Sequence, residues 1–174
     1  MENLIKLHIG AFDQAIDGWM NIDVTPHIFV ARVPFLPQIM NKIGILSQKR
    51  FDQHNSGVFK KLKYMDISNG IHLPNKSCIA VFSCHVMEHL FRDEIYNLIN
   101  ETHRVLVEGG ICRVVVPDMS KIVDSYAEAN PEPFLEAVFE KTHRENQKNY
   151  HHWGFTGAYM CRLFSERGFS STQV

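Results

Sequence analysis

The stretch HVMEH at residues 85–89 brings two histidines and a glutamate close enough together to do chemistry. This spacing occurs on the zinc-binding helix of one class of metalloprotease, where both histidines share a helical face and a further carboxylate completes the site. Glu101 and Glu108 are candidates for that carboxylate. Because His85 directly follows an apolar run, a long helix is not expected there. Zinc hydrolysis is therefore a minor alternative.

His85 has two further interpretations. At the mouth of a ligand pocket it could act as a general base, because imidazole is the side chain that titrates nearest neutral pH. It could instead have a structural role and bind the backbone at a strand-to-helix turn. The neighbouring Cys84 has no basic partner in the sequence and is interpreted as a small buried residue. Glu88 and Arg92, four residues apart, predict an exposed ion pair.

A second group of histidines comprises His143, His151 and His152. Adjacent residues of an extended segment point to opposite sides, so His151 and His152 are not expected to bind one metal ion together. No metal site is predicted in this chain.

Small and polar residues close four predicted strands of a parallel sheet, whose ligands bind at the carboxyl ends of the strands. Gly10 ends the first strand, where a backbone without Cβ lets a ligand approach closely. Asp23 ends the second strand, and its carboxylate could accept hydrogen bonds from two ribose hydroxyls. Asp66 ends the third, and residues 83–85 end the fourth. Together these positions predict a ligand site.

The apolar pattern predicts five strands that position these residues. The last two are nearly unbroken apolar runs, which are typical of parallel strands covered on both faces. A turn at Asp17-Gly18 precedes the second strand. The predicted strands are residues 4–9, 19–24, 62–67, 79–84 and 111–116.

Helices are predicted between and after the last two strands. Apolar residues at three- and four-residue spacing predict a helix over 93–106, with Asp93 as its cap and Gly109-Gly110 as its stop. Ser120 is expected to cap a second helix. An amphipathic stretch follows over 134–139, and a final helix runs from about Thr156 to Gly168. The alternation predicts a Rossmann-like α/β three-layer sandwich with a mostly parallel sheet.

Residues 26–61 interrupt this alternation. They are interpreted either as a surface excursion with one packed helix or as a substrate lid or dimer face, since long insertions are often functional. The expected organisation is one domain over residues 1–174 that contains this insertion, in keeping with its length.

Four stretches carry a resemblance to a known family. The chain resembles the class I S-adenosylmethionine (SAM)-dependent methyltransferases, and within them a small branch associated with polysaccharide and cell-surface biosynthesis. The second and third stretches are the most specific. The stretches are LHIG…DGWMNID (7–23), YMDISNGIHLPNKSCIAVFSCHVMEHL (64–90), ETHRVLVEGGICRVVVPD (101–118) and HHWGFTGAYMCRLFSERGF (151–169).

The resemblance implies SAM as the cofactor and methyl transfer to a small-molecule or glycan-type acceptor as the reaction. It implies that the segment after the first strand surrounds the methionine part of SAM, that Asp23 binds the ribose, and that the end of the fourth strand faces the methyl group. It also implies that residues 151–152 line the acceptor side. Carried over by position, the cofactor-binding residues are Gly10, Ala11, Asp23, Asp66, Ile67, Ser83 and Cys84, with His85 as the catalytic residue.

Two departures from the family pattern support an alternative, a non-catalytic methyltransferase-like binding or assembly module. Gly10 is followed by Ala11-Phe12-Asp13, where the family has further glycines, and the Phe12 ring could crowd the methionine end of the pocket. The residues after Phe169 suffice for one strand at most, so the sheet is expected to lack part of its C-terminal antiparallel strands.

Composition limits the partners. With 18 basic and 19 acidic residues the formal net charge is −1, so no global basic field attracts nucleic acid or an anionic membrane. Apolar runs are far shorter than a spanning helix needs. The start Met1-Glu2-Asn3 does not resemble a signal peptide, and four cysteines without a CxxC pair are typical of reduced thiols. A cytoplasmic protein that can form homo-oligomers is expected.

Overall fold

The computed structural model describes residues 4–139 and 150–174. Within it the chain forms two compact units. Of the described residues, unit 1 holds 4–83 and 105–113, and unit 2 holds 84–104, 114–139 and 150–174. The single-domain organisation stays a prediction.

Unit 1 contains the sheet, whose strands follow the order β3-β2-β1-β4-β5. β1 pairs in parallel with β2 and β4, and β2 pairs in parallel with β3. The chain fills one side of β1 first and then moves to the other side. This arrangement creates a topological switch point between β1 and β4, where such sheets bind ligands. The strands are β1 Ile5–Ile9, β2 Met20–Asp23, β3 Leu62–Tyr64, β4 Cys78–Cys84 and β5 Leu106–Val115.

The last strand differs from its prediction because it begins at Leu106 and includes Gly109-Gly110. The expectation that these glycines stop the preceding helix is therefore wrong. Gly109 has a φ of 75° inside the strand. A Cβ on Gly110 would lie 2.9 Å from the carbonyl oxygen of Val107 and 3.2 Å from that of Ile79. The two glycines thus permit an irregular strand and a close approach to β4.

The predicted insertion, residues 26–61, connects β2 to β3 and holds more than the one helix expected. It forms α1 His27–Val30, α2 Leu36–Lys42, α3 Gln48–Asn55 and a 3-10 turn at Val58–Lys61. Ser47 caps α3 by accepting a hydrogen bond from the Arg50 amide. The core of the segment is a cluster of buried apolar side chains, namely Ala11, Ile28, Ala31, Phe59 and Leu62.

Unit 2 contains most of α4 and three further helices. They are α4 Arg92–Val105, α5 Met119–Asp124, α6 Glu132–Phe139 and α7 Gly157–Ser165. The last helix begins next to Thr156, as expected, and Thr156 is its cap. Two predicted caps are wrong. Asp93 lies inside the first turn of α4. Asp118, not Ser120, caps α5, because its carboxylate accepts the Ser120 amide.

The observed sheet has the mostly parallel, Rossmann-like α/β architecture that was predicted. Within residues 4–139 and 150–174, no strand follows β5. None of the helices formed by these residues is both long and apolar enough to cross a bilayer.

Candidate functional site

The loop after β1 begins the candidate site in unit 1. Gly10 has a φ of 70°, a left-handed conformation that glycine adopts without strain. The amides of Gly10 and Ala11 both donate to the carbonyl oxygen of Ile22, at 3.0 and 3.1 Å. Phe12 follows with a φ of 36°. The loop therefore turns sharply against the end of β2 with a single glycine.

Asp23 holds this turn in place. Its Oδ2 accepts the Phe12 amide at 2.9 Å, and its Oδ1 accepts the Thr25 amide at 2.7 Å. Each carboxylate oxygen has two lone pairs, so both oxygens can accept one further hydrogen bond. Asp23 can thus fix the backbone and still bind a ligand hydroxyl.

Side chains of the loop contact the segment 26–61. The Arg50 guanidinium lies 4.6 Å from the centroid of the Phe12 ring, which is 6.0 Å from that of Phe59. Asp13 Oδ2 accepts a hydrogen bond from Gln53 at 2.5 Å. These contacts hold the Phe12 ring against the apolar cluster of the segment. These contacts do not favour the expectation that the Phe12 ring crowds the methionine end of the SAM pocket.

The turn that returns the loop to β2 is organised by Asn21, which is buried. Asn21 Oδ1 accepts the Ile16 amide at 2.9 Å, and its Nδ2 donates to the carbonyl oxygens of Ile16 and Trp19. His8 Nδ1 lies 3.1 Å from the same Oδ1. Burial lowers the pKa of His8, so its neutral ring donates this bond.

Asp66 and Ile67 follow β3. The Asp66 carboxylate caps a 3-10 turn over Ile67–Asn69, and its Oδ1 accepts the Ser68 amide at 3.0 Å. The hydrogen bonds from Ser68 lower the pKa of Asp66 below its usual value. The group is therefore an ionised acceptor, suited to an exocyclic amine. The amide of Met65 donates to the carbonyl oxygen of Asp23, which ties this region to the end of β2.

Ser83 lies on β4 directly beside Ile9 of β1, at the switch point of the sheet. Its side chain is buried, and its Oγ finds no hydrogen-bond partner in the described part of the chain. A buried hydroxyl without a partner costs free energy, so such a group is expected to serve a ligand.

A cavity of about 540 Å³ lies elsewhere in unit 1, on the segment 26–61. Its lining includes Phe35, Pro37 and His54. None of the predicted cofactor-binding residues lines it, so it is separate from the strand-end site.

In unit 2, Cys84 leads into His85, which has a φ of 54° and donates its amide to the carbonyl oxygen of Val115. His85 Nδ1 lies 2.8 Å from Glu88 Oε1. The His85 side chain is 60% exposed, whereas that of Glu88 is 2% exposed. A buried carboxylate thus orients a histidine whose Nε2 remains available.

The predicted ion pair between Glu88 and Arg92 is therefore wrong. Arg92 Nε instead donates to the Tyr96 hydroxyl at 2.6 Å. The 3-10 turn Met87–His89 also begins after His85, so His85 and His89 do not share the helical face that the metalloprotease pattern requires.

The segment 150–153 packs against this turn. The amides of His152 and Trp153 donate to the carbonyl oxygen of Glu88, at 2.7 and 3.2 Å. His151 stands beside His89 with ring centroids 5.1 Å apart, while His152 stacks on Phe91. The two adjacent histidines have different partners, as expected for an extended segment. His143 lies outside the described residues.

The predicted site residues thus fall into two groups. Gly10, Ala11 and Asp23 share one hydrogen-bond network in unit 1, which also contains Asp66, Ile67 and Ser83. Cys84 and His85 begin the part of the chain assigned to unit 2. The residue that sequence reasoning missed is Glu88, and the three-residue spacing from His85 was the available signal.

Two comparisons with known proteins found a similarity to this chain. Residues 44–114, less than half of the chain, match the family model described as "Methyltransferase domain". A crystal structure of a SAM-dependent methyltransferase from Thermotoga maritima, described as a possible histamine N-methyltransferase, superposes with a TM-score of 0.56 at 15% identity. No curated protein matches the chain.

The superposition covers 98% of this chain and 66% of the Thermotoga chain, so the present sequence spans less than two thirds of that protein. It shows that the two chains share a fold. The family match over residues 44–114 and the shared fold agree with the methyltransferase domain predicted from the sequence. SAM as the cofactor stays a prediction. Neither comparison supports the polysaccharide branch.

Proposed function

We propose that this protein is a SAM-dependent methyltransferase that acts on a small-molecule or glycan-type acceptor. The observation that carries the proposal is the buried, unpartnered Ser83 hydroxyl at the switch point of the sheet. In open α/β sheets this position is where ligands bind.

The residues of unit 1 fit the chemistry of SAM. The loop at Gly10 and Ala11 presents backbone without a bulky side chain, because the Phe12 ring packs against Phe59 and Arg50. Asp23 retains acceptor capacity for ribose hydroxyls. Asp66 is an ionised acceptor for the adenine amine, with Ile67 as its apolar neighbour.

SAM supplies an electrophilic methyl group when it is bound. The task of the protein is then to align donor and acceptor, since proximity and orientation contribute most of the acceleration in such a displacement. In this proposal Ser83 and Cys84 form the end of β4 that borders the methyl group. Asp23 fixes the loop after β1 through the Phe12 amide and the residues after β2 through the Thr25 amide, and so preorganises the cofactor side.

We assign His85 as the general base. Its Nδ1 faces Glu88 Oε1, so a proton on Nδ1 leaves Nε2 as the acceptor. The buried Glu88 carboxylate holds the ring in this tautomer and orientation, as a carboxylate does for the histidine of hydrolase triads. The exposed ring can then take a proton from an acceptor hydroxyl or amine.

The acceptor class is the finer part of the proposal. A small-molecule acceptor is supported by similarity to a protein described as a possible histamine N-methyltransferase. A glycan-type acceptor, a role in polysaccharide biosynthesis and a cytoplasmic location rest on the resemblance and composition of the sequence. Assays with amine and sugar acceptors would separate the two classes.

The alternative, a non-catalytic module, is favoured by one observation. Both oxygens of Asp23 already bind backbone amides, so this carboxylate has a purely structural use available to it. Under this alternative the strand-end residues hold the fold and bind no cofactor.

Calorimetric titration of SAM and S-adenosylhomocysteine into the full chain tests the proposal. We expect binding, and we expect Asp23→Ala to weaken it at least roughly tenfold, because one charge-assisted hydrogen bond contributes about 1.5–3 kcal/mol. Asp17→Ala is the matched control. Asp17 lies on the same loop and carries the same charge, but it is exposed and pairs with Lys61.

No binding of either ligand at millimolar concentration would overturn the enzyme and leave the non-catalytic module. Equal binding by folded Asp23→Ala and wild-type protein would instead move the pocket away from Asp23.

We also propose that the protein forms homo-oligomers. The support is a set of large apolar side chains around α1 and α2 that are about half exposed or more, namely Phe29, Val33, Phe35, Ile39, Ile43 and Ile45. Exposed apolar surface of this kind marks interaction sites. Light scattering after size exclusion is expected to show a dimer or larger species, and a monomer at high micromolar concentration would contradict the proposal.

A further inference from the structure

A cluster of three metal-binding side chains lies in unit 2, outside the strand-end residues of unit 1. One carboxylate oxygen of Glu88, one ring nitrogen of His89 and one ring nitrogen of His151 all lie within 4.8 Å of one another. The three residues come from the 3-10 turn after β4 and from the segment before α7. The two regions are distant in the sequence and meet only in the folded chain. The hydrogen bond between them from His89 to Tyr150 spans 61 residues.

Glu88 gives an independent indication of a ligand. The residue is 1% exposed, and its Oε1 faces His85. Its Oε2 is buried and has no hydrogen-bond partner among the described residues. A buried carboxylate oxygen without a partner carries a desolvation penalty, which a bound cation would offset. Since Oε1 is engaged, Oε2 is the oxygen available to the cluster.

His89 is held in the orientation of a metal ligand. Its Nδ1 donates to the carbonyl oxygen of Tyr150 at 3.2 Å, which leaves the lone pair of Nε2 available. Metal-binding histidines almost always donate their second ring N–H to a carbonyl or carboxylate in this way. The Glu88 carbonyl oxygen also accepts the His152 amide, and this bond fixes the backbone next to His151.

We propose that Glu88, His89 and His151 form a binding site for a zinc-class divalent cation. Two imidazole nitrogens and one carboxylate oxygen are a ligand set that suits zinc, with bonds of about 2.0–2.2 Å. Magnesium prefers a shell of oxygen ligands and does not fit. Three protein ligands leave a tetrahedral position open to water or to a donor atom of a substrate.

This site differs from the H-x-x-E-H interpretation of the sequence, because His85 binds the Glu88 carboxylate and is not a ligand. It also revises the expectation that the chain has no metal site. The proposal does not rest on methyl transfer, since its ligands are assigned from their own geometry.

Titration of Zn²⁺ alone into the metal-stripped full chain, followed by calorimetry and by elemental analysis after gel filtration, tests the site. We expect one Zn²⁺ per chain, and no binding of Mg²⁺. His151→Ala and His89→Ala should each weaken zinc binding at least roughly tenfold, since even the residues that support a ligand typically contribute 10–100-fold. Replacement of Zn²⁺ by Co²⁺ should give the visible absorption of a tetrahedral site.

His152→Ala is the matched control, because His152 is the adjacent histidine, is exposed, and stacks on Phe91. It should bind zinc as the wild type does. Circular dichroism must show that each variant folds, and Glu88→Gln, which keeps the side-chain volume, gives a third independent removal of a ligand. Three outcomes would overturn the site. Zinc binding could survive both His89→Ala and His151→Ala, or it could be lost equally in His152→Ala. The wild type could also fail to bind zinc at 100-fold molar excess.

Discussion

The turns after β1 and after β4 solve the same backbone problem with different uses of a carboxylate. Each contains a non-glycine residue with positive φ, Phe12 at 36° and His85 at 54°. After β1 the carboxylate of Asp23 accepts two backbone amides. After β4 the carboxylate of Glu88 contacts a side chain through one oxygen, and its other oxygen has no partner in the described part of the chain.

The difference suggests a structural role for the Asp23 carboxylate and a role in binding or catalysis for the Glu88 carboxylate. Hydrogen bonds to Asp23 stabilise the loop whether or not a ligand is present. Among the described residues, Glu88 has one hydrogen-bonded side-chain contact, to His85, and its second oxygen is the one that the proposed cation would bind.

Removing the base should have the largest effect. His85→Ala is expected to lower kcat by about 100-fold or more, the usual contribution of general acid–base catalysis, while SAM affinity changes less than twofold. His85→Gln can still donate to Glu88 but cannot act as a base, so it should preserve the melting temperature and not the rate. Steady-state kinetics and calorimetry on one preparation check this. Full activity in His85→Gln would remove His85 from the mechanism.

The two carboxylates should respond differently to conversion into amides. Asp23→Asn replaces one of the two acceptor oxygens with an NH2 donor, so one of the two backbone amides loses its acceptor. We expect this change to lower the free energy of unfolding by about 1.5–3 kcal/mol. Glu88→Gln keeps an acceptor for His85 and should change that free energy by less than about 1 kcal/mol. Urea denaturation of both variants measures the difference. A larger loss of stability in Glu88→Gln than in Asp23→Asn would show that Glu88, and not Asp23, is the more important of the two for folding.

Acid should lower the free energy of unfolding by protonating histidines of the segment 26–61, which packs against the loop after β1. This effect should be the smallest of those predicted. Burial lowers the pKa of His27, and the charges of His54 and Arg50 lower it further. Burial also lowers the pKa of His54, and the Arg50 charge adds to this effect. The unfolded chain therefore binds protons first, so the free energy of unfolding falls as pH decreases below 6.5.

Thermal melts between pH 7.5 and 5 should show this decline, and His54→Phe should flatten it by removing one titrating group. An unchanged pH dependence in a folded His54→Phe protein would exclude His54 as a source.

The sequence predicted the strands and helices of the core well, because their apolar runs and flanking residues form local patterns. The apolar runs placed all five strands, and Thr156 marked the start of α7. Predictions failed where a residue can satisfy two local patterns. Asp118 and Ser120 are both good caps, and the tertiary bridge between Asp118 and Phe155 accompanies the choice of Asp118. Gly109-Gly110 fits a helix stop as well as an irregular strand.

The sequence by itself determined which residues lie at the ends of the strands, since the positions of Gly10, Asp23, Asp66 and Ser83 follow from where the apolar runs stop. Only the tertiary structure decided the partners of these groups. The four-residue spacing to Arg92 predicted an exposed ion pair for Glu88. Such spacing identifies neighbours along a helix but contains no information about burial. The segment 150–153 donates two backbone hydrogen bonds to Glu88 and brings His151 to His89. Such a contact between distant parts of the chain leaves no periodic pattern in either sequence segment.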